Sequence, residues 1–378
     1  MILTRGARIT GAVLCALLAL IVAGWIVRDL GAVDGPGHLL RYWTGYEDAR
    51  LPETPTTSID DLVLFVMYLV VALTVMRVSV AASALVATGV LTLALRLPGL
   101  WNIGTSPMDG MYSDELRTRA LVCAFVVIAV AVALIITAGA GRRPPADFSE
   151  QVPIRPGQGA GVLTFLLLGA SAATIAAWQI RTVVRFPEIF SDWYLGGEQA
   201  PHGLIDAPLG WAGAVNALLC LFAGGSALGR AAYARPFGLI AAGLLLPGAA
   251  GALIRSLDQG VLGHFGELPT ESQLLVLSWT FEAIAALVVL IALAVRGPAG
   301  HLAQPYQGYD PGYEQGYGYG PVPGPGTGPG PVPGQGYGYP GSGPSPFGAP
   351  PPPDQPPIPP HQPPHQPPPP PSQPPPGW

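Results

Sequence analysis

Ala120–Ala138, ALVCAFVVIAVAVALIITA, carries one hydroxyl (Thr137), one thiol (Cys123) and no charge over nineteen consecutive residues. As a helix rising 1.5 Å per residue it is about 29 Å long, close to the thickness of the hydrocarbon layer of a bilayer. A helix apolar on every face has no side to turn to water. Seven further runs share this character, near Ile9–Val27, Asp61–Met76, Val78–Leu95, Val162–Ile180, Trp211–Gly229, Phe237–Ile254 and Gln273–Val295. Lipid offers no partner for an unpaired backbone N–H or C=O, so each run is expected as a helix. The chain therefore reads as an all-α polytopic membrane protein with about eight transmembrane helices over residues 1–296. The first run follows Arg5 and Arg8 as a signal peptide would, but it exceeds the roughly 7–15 apolar residues of a signal core and reads as a retained anchor.

Composition narrows the function classes. Of 378 residues, 49% are hydrophobic and 11% charged, against about 25% charged in soluble domains. All eighteen basic residues are Arg, which removes P-loop and Schiff-base chemistry that needs Lys. The net charge of −5 comes without a basic patch, which argues against nucleic-acid binding. Cys15, Cys123 and Cys220 each lie in an apolar run with no CxxC pair. No zinc site, disulfide framework or other cofactor is expected.

Orientation follows from Arg in the short loops. An internal N-terminus places Arg5, Arg8, Arg77, Arg142, Arg143, Arg155, Arg230, Arg235 and Arg296 in the cytoplasm and the other nine Arg outside. The counts tie, but the outer loops are much longer, so the inner ones are denser in Arg. Seventeen of the twenty-three acidic residues fall outside.

At an offset near 153 residues the span layout repeats, four plus four. Trp25-Ile26-Val27-Arg28 closes the first span and Trp178-Gln179-Ile180-Arg181 the fifth, each before a long loop; Arg77 and Arg230, Arg96 and Arg255, and Arg143 and Arg296 fall at corresponding span ends. Two parallel repeats are expected, at 1–144 and 157–296, related like the halves of some transporters. Interfacial anchoring of Arg and Trp at span ends would produce part of the same pattern without duplication.

Residues 297–378 contain 30 Pro, 18 Gly and 7 Tyr. Such a segment cannot bury enough apolar surface to offset its ordering entropy and is expected to be a disordered cytoplasmic tail. Its Gly-Tyr repeats and polyproline runs suit docking in aromatic-lined grooves or multivalent clustering, so protein partners are expected for it beside the lipid bilayer. A passive extension is the alternative.

Within the spans, Glu282 is the one deeply placed acid, and an intramembrane carboxylate is a functional candidate. It equally suits a tilted helix that brings the side chain to an interface. Pro247-Gly248 can break the seventh span and expose carbonyls, or merely kink it. Asn216 and the Gly225–Gly229 pattern of the sixth span point to close helix packing. His38, His202 and His264 lie among carboxylates without ligand spacing. Trp43, Tyr46, Trp101, Tyr112, Trp193 and Tyr194 read as interfacial aromatics, able to fold the loops down as a lid.

With Arg in place of Lys, Ala/Val/Leu-rich spans and a Pro/Gly/Tyr-rich tail, the chain resembles multi-pass membrane proteins of high-GC, actinobacterial type. The resemblance implies a cell-membrane location and carries over no catalytic residue. Three functions are expected, in order: a membrane scaffold or regulatory protein whose tail engages partners; a small-solute or ion transporter with a site between the repeats near Glu282 and Pro247; and an intramembrane or lipid-modifying enzyme.

Overall fold

A computed structural model describes residues 2–33, 35–45, 53–144, 155–199 and 203–295. Asp34, Tyr46, His202, Arg296 and the whole segment from Gly297 lie outside the described residues. Eight main helices form: α1 (Arg5–Ala32), α2 (Ile59–Thr74), α3 (Ala81–Arg96), α4 (Asp114–Ala140), α5 (Gln158–Arg185), α6 (Leu209–Leu228), α7 (Ala234–Asp258) and α8 (Thr270–Ala294). Seven are long and apolar enough to cross a membrane, with α3 extending through a further short turn to Asn102. The sixteen residues of α2 span about 24 Å and fall short of that length.

Five of the eight helices begin where the chain supplies an acceptor or removes a donor. Thr4 Oγ1 accepts from the Ala7 amide at the head of α1, and Ser113 Oγ from Leu116 at the head of α4. Asp61 Oδ2 accepts from the Ser58 amide at the start of α2. Pro208 and Pro269 precede α6 and α8, where a missing N–H costs nothing. At its other end α6 closes in a Schellman motif: the Ala231 amide donates to the Ser226 carbonyl, and Arg230 takes the left-handed backbone at φ 50°.

The helices run past the apolar runs at most ends. Helix α4 starts six residues before Ala120 because the Ser113 cap and the Glu115–Arg119 ion pair support a charged first turn. Helix α7 continues as one helix through Pro247 and Gly248.

Packing follows a ring in each half. In the first, α1 lies against α2 and α4, and α3 against α4 and α2; in the second, α5 lies against α6 and α8, and α7 against α8 and α6. The halves meet where α2 and α3 touch α7 and where α3 touches α6. Their apolar interiors interlock: Leu244 of α7 belongs to the core of the first half, and Ala87 of α3 to that of the second. Two glycines let neighbouring helix backbones approach closely. A Cβ on Gly89 would stand 2.7 Å from the Ala131 carbonyl oxygen of α4, and one on Gly161 2.5 Å from that of Ala227 in α6. Every one of the eight helices exposes large apolar side chains outward, among them Leu20, Leu73, Val122, Leu166, Leu218 and Ile291. An apolar belt of this kind suits acyl chains as solvent.

The two ends of the bundle differ in charge. At one, Ile2–Leu3 pairs antiparallel with Arg142–Arg143. Arg8 donates to the Val75 and Met76 carbonyls past α2, and Arg235 to Ala294 at the end of α8. Helix C-termini carry partial negative charge, so each guanidinium sits where it is favoured. The described residues of this end include eight Arg and no carboxylate. Residues 2 and 294 both lie there. The opposite end holds the described acids other than Glu282.

Candidate functional site

The acid-rich end carries a buried polar network that ties the two halves together. Ser58 and Asp61 open α2, and Arg96 ends α3. Asp206 sits on the loop before α6, in the other half of the molecule. The Arg96 guanidinium forms a salt bridge with Asp61, and both side chains are buried. Arg96 also donates to the Ile205 carbonyl, and the Ile205 amide donates to Thr56. Ser58 Oγ donates to Asp206 Oδ1 at 2.7 Å. A loop of the second half is thus hydrogen-bonded to the ends of two helices of the first.

Asp29 at the end of α1 anchors the segment leading into this network. Its fully buried carboxylate accepts from the amides of Thr56 (2.8 Å) and Thr57 (2.7 Å), from both hydroxyls (2.9 and 2.6 Å), and from Arg28 Nη1 (2.8 Å). Tyr112 adds a strut by donating to the Pro55 carbonyl at 3.0 Å. Burial pushes its hydroxyl up, which keeps the proton that the bond requires.

Aromatic residues extend the seam. Trp211 Nε1 donates to the Ala94 carbonyl at 2.6 Å, and Trp101 meets Trp211 edge-on at 5.8 Å while donating to Leu195. Trp43 donates to Thr57, and Trp193 and Tyr194 both donate to Gln179. Arg255 at the end of α7 donates to the Thr44 carbonyl at 3.1 Å. The described loop aromatics therefore staple the acid-rich end through named bonds.

Three carboxyls, Asp60, Asp61 and Asp206, surround the single Arg96 charge. Burial, and then the neighbouring Asp61 carboxylate, hold Asp206 well above the ordinary carboxylate range, against the lowering effect of Ser58 and Arg96. In the folded protein Asp206 keeps a proton that the unfolded chain releases near pH 3.9. Its stabilising contribution is therefore complete below that pH and is lost as pH rises toward the folded value. Asp206→Asn keeps an acceptor for Ser58 and cannot ionise. The variant is expected to melt a few degrees above the wild type at pH 8, at about 2–4 °C per kcal/mol, with the gap closing toward pH 4. A gap independent of pH would contradict this placement of the proton.

The residues singled out inside the spans lie apart from this network. Glu282 is half-buried on α8, within electrostatic reach of the Cys220 thiol of α6. That thiol points at Asn216 Oδ1 one turn away, at 3.8 Å. Glu282, Cys220 and Asn216 thus share the second helix ring, and α8 packs on α5 and α7. Pro247 is half-buried and Gly248 exposed on α7. On α6, Gly224 lies against Phe165 of α5, and Ala227 meets Gly161. His38 and His264 are exposed, and the described residues contain no group of three His, Cys, Asp or Glu side chains able to hold a metal.

Sequence reading identifies Arg96 as a span-end Arg and Asp61 as an external acid, but neither their pairing nor the role of Asp206 and Asp29. The available signal is Ser58 followed by Asp61, a helix-start pattern that places a carboxylate beside the α3 terminus. No known protein family, curated protein or solved structure matches this chain.

Proposed function

We propose that this chain is a membrane scaffold or regulatory protein: a rigid eight-span body that presents its Pro/Gly/Tyr-rich tail to cytoplasmic partners. The observation that carries the proposal is the join between the halves. Salt-bridged and hydrogen-bonded at the outer end through Arg96, Asp61, Ser58 and Asp206, and interlocked by Leu244 and Ala87 in the apolar interior, it is built to hold one arrangement.

Two parallel repeats underlie the body. At an offset of 153 residues the bounds of α1 fall on those of α5, and the start of α3 falls on that of α7. The order of neighbours is the same in both rings, and the join pairs α2 with α7 and α3 with α6, as a two-fold axis between the halves requires. Helix α2 is the eighth span, short for the bilayer and accommodated by local thinning. The eight-Arg end is cytoplasmic, as positive-inside asymmetry favours, so the tail emerges in the cytoplasm of a cell-membrane protein.

Truncation after Arg296 is expected to leave membrane insertion and melting temperature unchanged while removing the proteins that cross-link to the full-length chain in cells. Retention of the same cross-linked set would overturn the tail's role. One observation favours the transporter reading as a second possibility: Glu282 has no hydrogen-bond or ion-pair partner among the described residues. Under it, proteoliposomes would show uptake that Glu282→Gln removes.

A further inference from the structure

Arg8, in the first turn of α1, reaches across the Arg-rich end of the bundle to backbone carbonyls. Its Nε donates to Leu3 at 3.3 Å, and its Nη1 to Val75 and Met76 at 3.3 and 3.0 Å. Arg77 directly follows Met76, and Arg5 lies one turn before Arg8 on the same side of the helix. The start of α1 and the link from α2 to α3 therefore carry three guanidinium groups in one patch. Arg142 and Arg143 border it, opposite Leu3 and Ile2 in the short antiparallel pair.

Like charges gathered in this way repel one another unless an anion joins them. The described residues of this end contain no carboxylate, and before the tail the sequence adds only Asp147 and Glu150, in the connection from α4 to α5. Donors are also left over. Arg8 Nη2 and the whole guanidinium groups of Arg5 and Arg77 have no acceptor among the described residues, and Arg5 and Arg77 are exposed. A guanidinium presents its N–H groups in a planar fork that matches two oxygens of a phosphate.

Position identifies the source of that phosphate. On α1, Ile9 and Val13 follow Arg5 and Arg8 and are exposed; at the end of α2, Leu73 and Met76 precede Arg77 and are exposed as well. The guanidinium groups thus stand over an apolar surface as the phosphates of a leaflet stand over its hydrocarbon. A soluble phosphate compound gains nothing from these side chains, whereas acyl chains do. Charge then selects among lipids. Phosphatidylcholine and phosphatidylethanolamine bring an ammonium with each phosphate, and the described residues offer it no carboxylate. An anionic headgroup brings no such cation, and basic sites at helix ends are suited to it.

We propose that Arg5, Arg8 and Arg77 bind the phosphodiester headgroup of an anionic membrane phospholipid, whose acyl chains lie along the exposed apolar faces of α1 and α2. The site lies on the first helix ring and is independent of the tail.

The full-length protein is purified in detergent, and its binding of dioleoylphosphatidylglycerol and dioleoylphosphatidylcholine is measured by native mass spectrometry. Phosphatidylglycerol should bind in preference. Arg5→Gln with Arg77→Gln should weaken it about 25-fold, roughly fivefold for each guanidinium at a charged membrane surface. The melting temperature should not change, because neither side chain bonds to another described residue. Arg5→Lys with Arg77→Lys keeps both charges and should restore binding. Arg155→Gln with Arg230→Gln removes the same charge from the same end in the second half, and should leave the tightest phosphatidylglycerol in place. Equal losses in the two Gln double variants would overturn the site in favour of a diffuse positive surface. Equal binding of phosphatidylcholine would overturn the anionic headgroup. Inorganic phosphate that displaces the bound lipid as effectively as the same concentration of free phosphatidylglycerol would overturn the lipid as ligand, since the acyl contacts would then contribute nothing.

Discussion

Arg96→Met is expected to cost about 3–5 kcal/mol of stability, the usual penalty for leaving one partner of a buried ion pair uncompensated. Asp61 is buried and, among the described residues, Arg96 is the cation paired with it, so the variant must hold an isolated carboxylate or protonate it. The loss extends to the join between halves, because the Ile205 carbonyl loses its guanidinium donor. A loss of this size is comparable to the whole stability of many domains. The measurement is thermal unfolding in detergent, followed by intrinsic fluorescence, for Arg96→Met, Asp61→Asn and the double variant. The double variant should recover part of the loss, since the uncharged amide of Asp61→Asn needs no cation and its oxygen still accepts from the Ser58 amide. Additive losses in the two single variants would show that the pair is not coupled.

Asp29→Ala should be nearly as damaging, at about 3–5 kcal/mol, because a buried donor stripped of its acceptor costs roughly 1–3 kcal/mol and two backbone amides are stripped at once. The Thr56 and Thr57 amides have no other acceptor within the segment, and the two hydroxyls lose theirs with them. The effect should be local in the first instance. Residues 53–58 carry the lead into α2, so proteolytic cleavage there should precede global unfolding in the variant and coincide with it in the wild type. Asp29→Asn is the informative intermediate. It preserves one acceptor oxygen, and a loss equal to that of Asp29→Ala would deny the capture of the two amides by one carboxylate.

The helices were legible because their cause is local. Nineteen apolar residues such as Ala120–Ala138 have no other stable state in lipid, and eight helices stand where the sequence shows eight apolar runs. The boundaries were less legible, since caps and ion pairs at Ser113, Glu115 and Arg119 carry a helix beyond its apolar part. Helix α7 shows the converse: Pro247 is able to break a helix, yet the packing of its neighbours keeps this one continuous. The network at the acid-rich end was hidden for a different reason. Asp29, Asp61, Arg96 and Asp206 come from four loops or helix ends, and no periodicity links residues brought together only by tertiary packing. A span-end Arg carries the same sequence signature whether it faces headgroups, as an anchor does, or a buried carboxylate, as Arg96 does.

The proposed architecture turns on α2, the sixteen-residue helix: in the proposed eight-span body it crosses the membrane, which would place Glu53 and Arg77 on opposite sides and make both halves four-span units. Single cysteines at position 53 and position 77, introduced into a cysteine-free background, are labelled in intact cells with a membrane-impermeant maleimide. The expected result is labelling of the Glu53→Cys protein from outside and of the Arg77→Cys protein only after permeabilisation. Labelling of both from the same side would show that α2 does not cross, and would remove the eight-span body, its parallel repeats and the shared side of its two ends together.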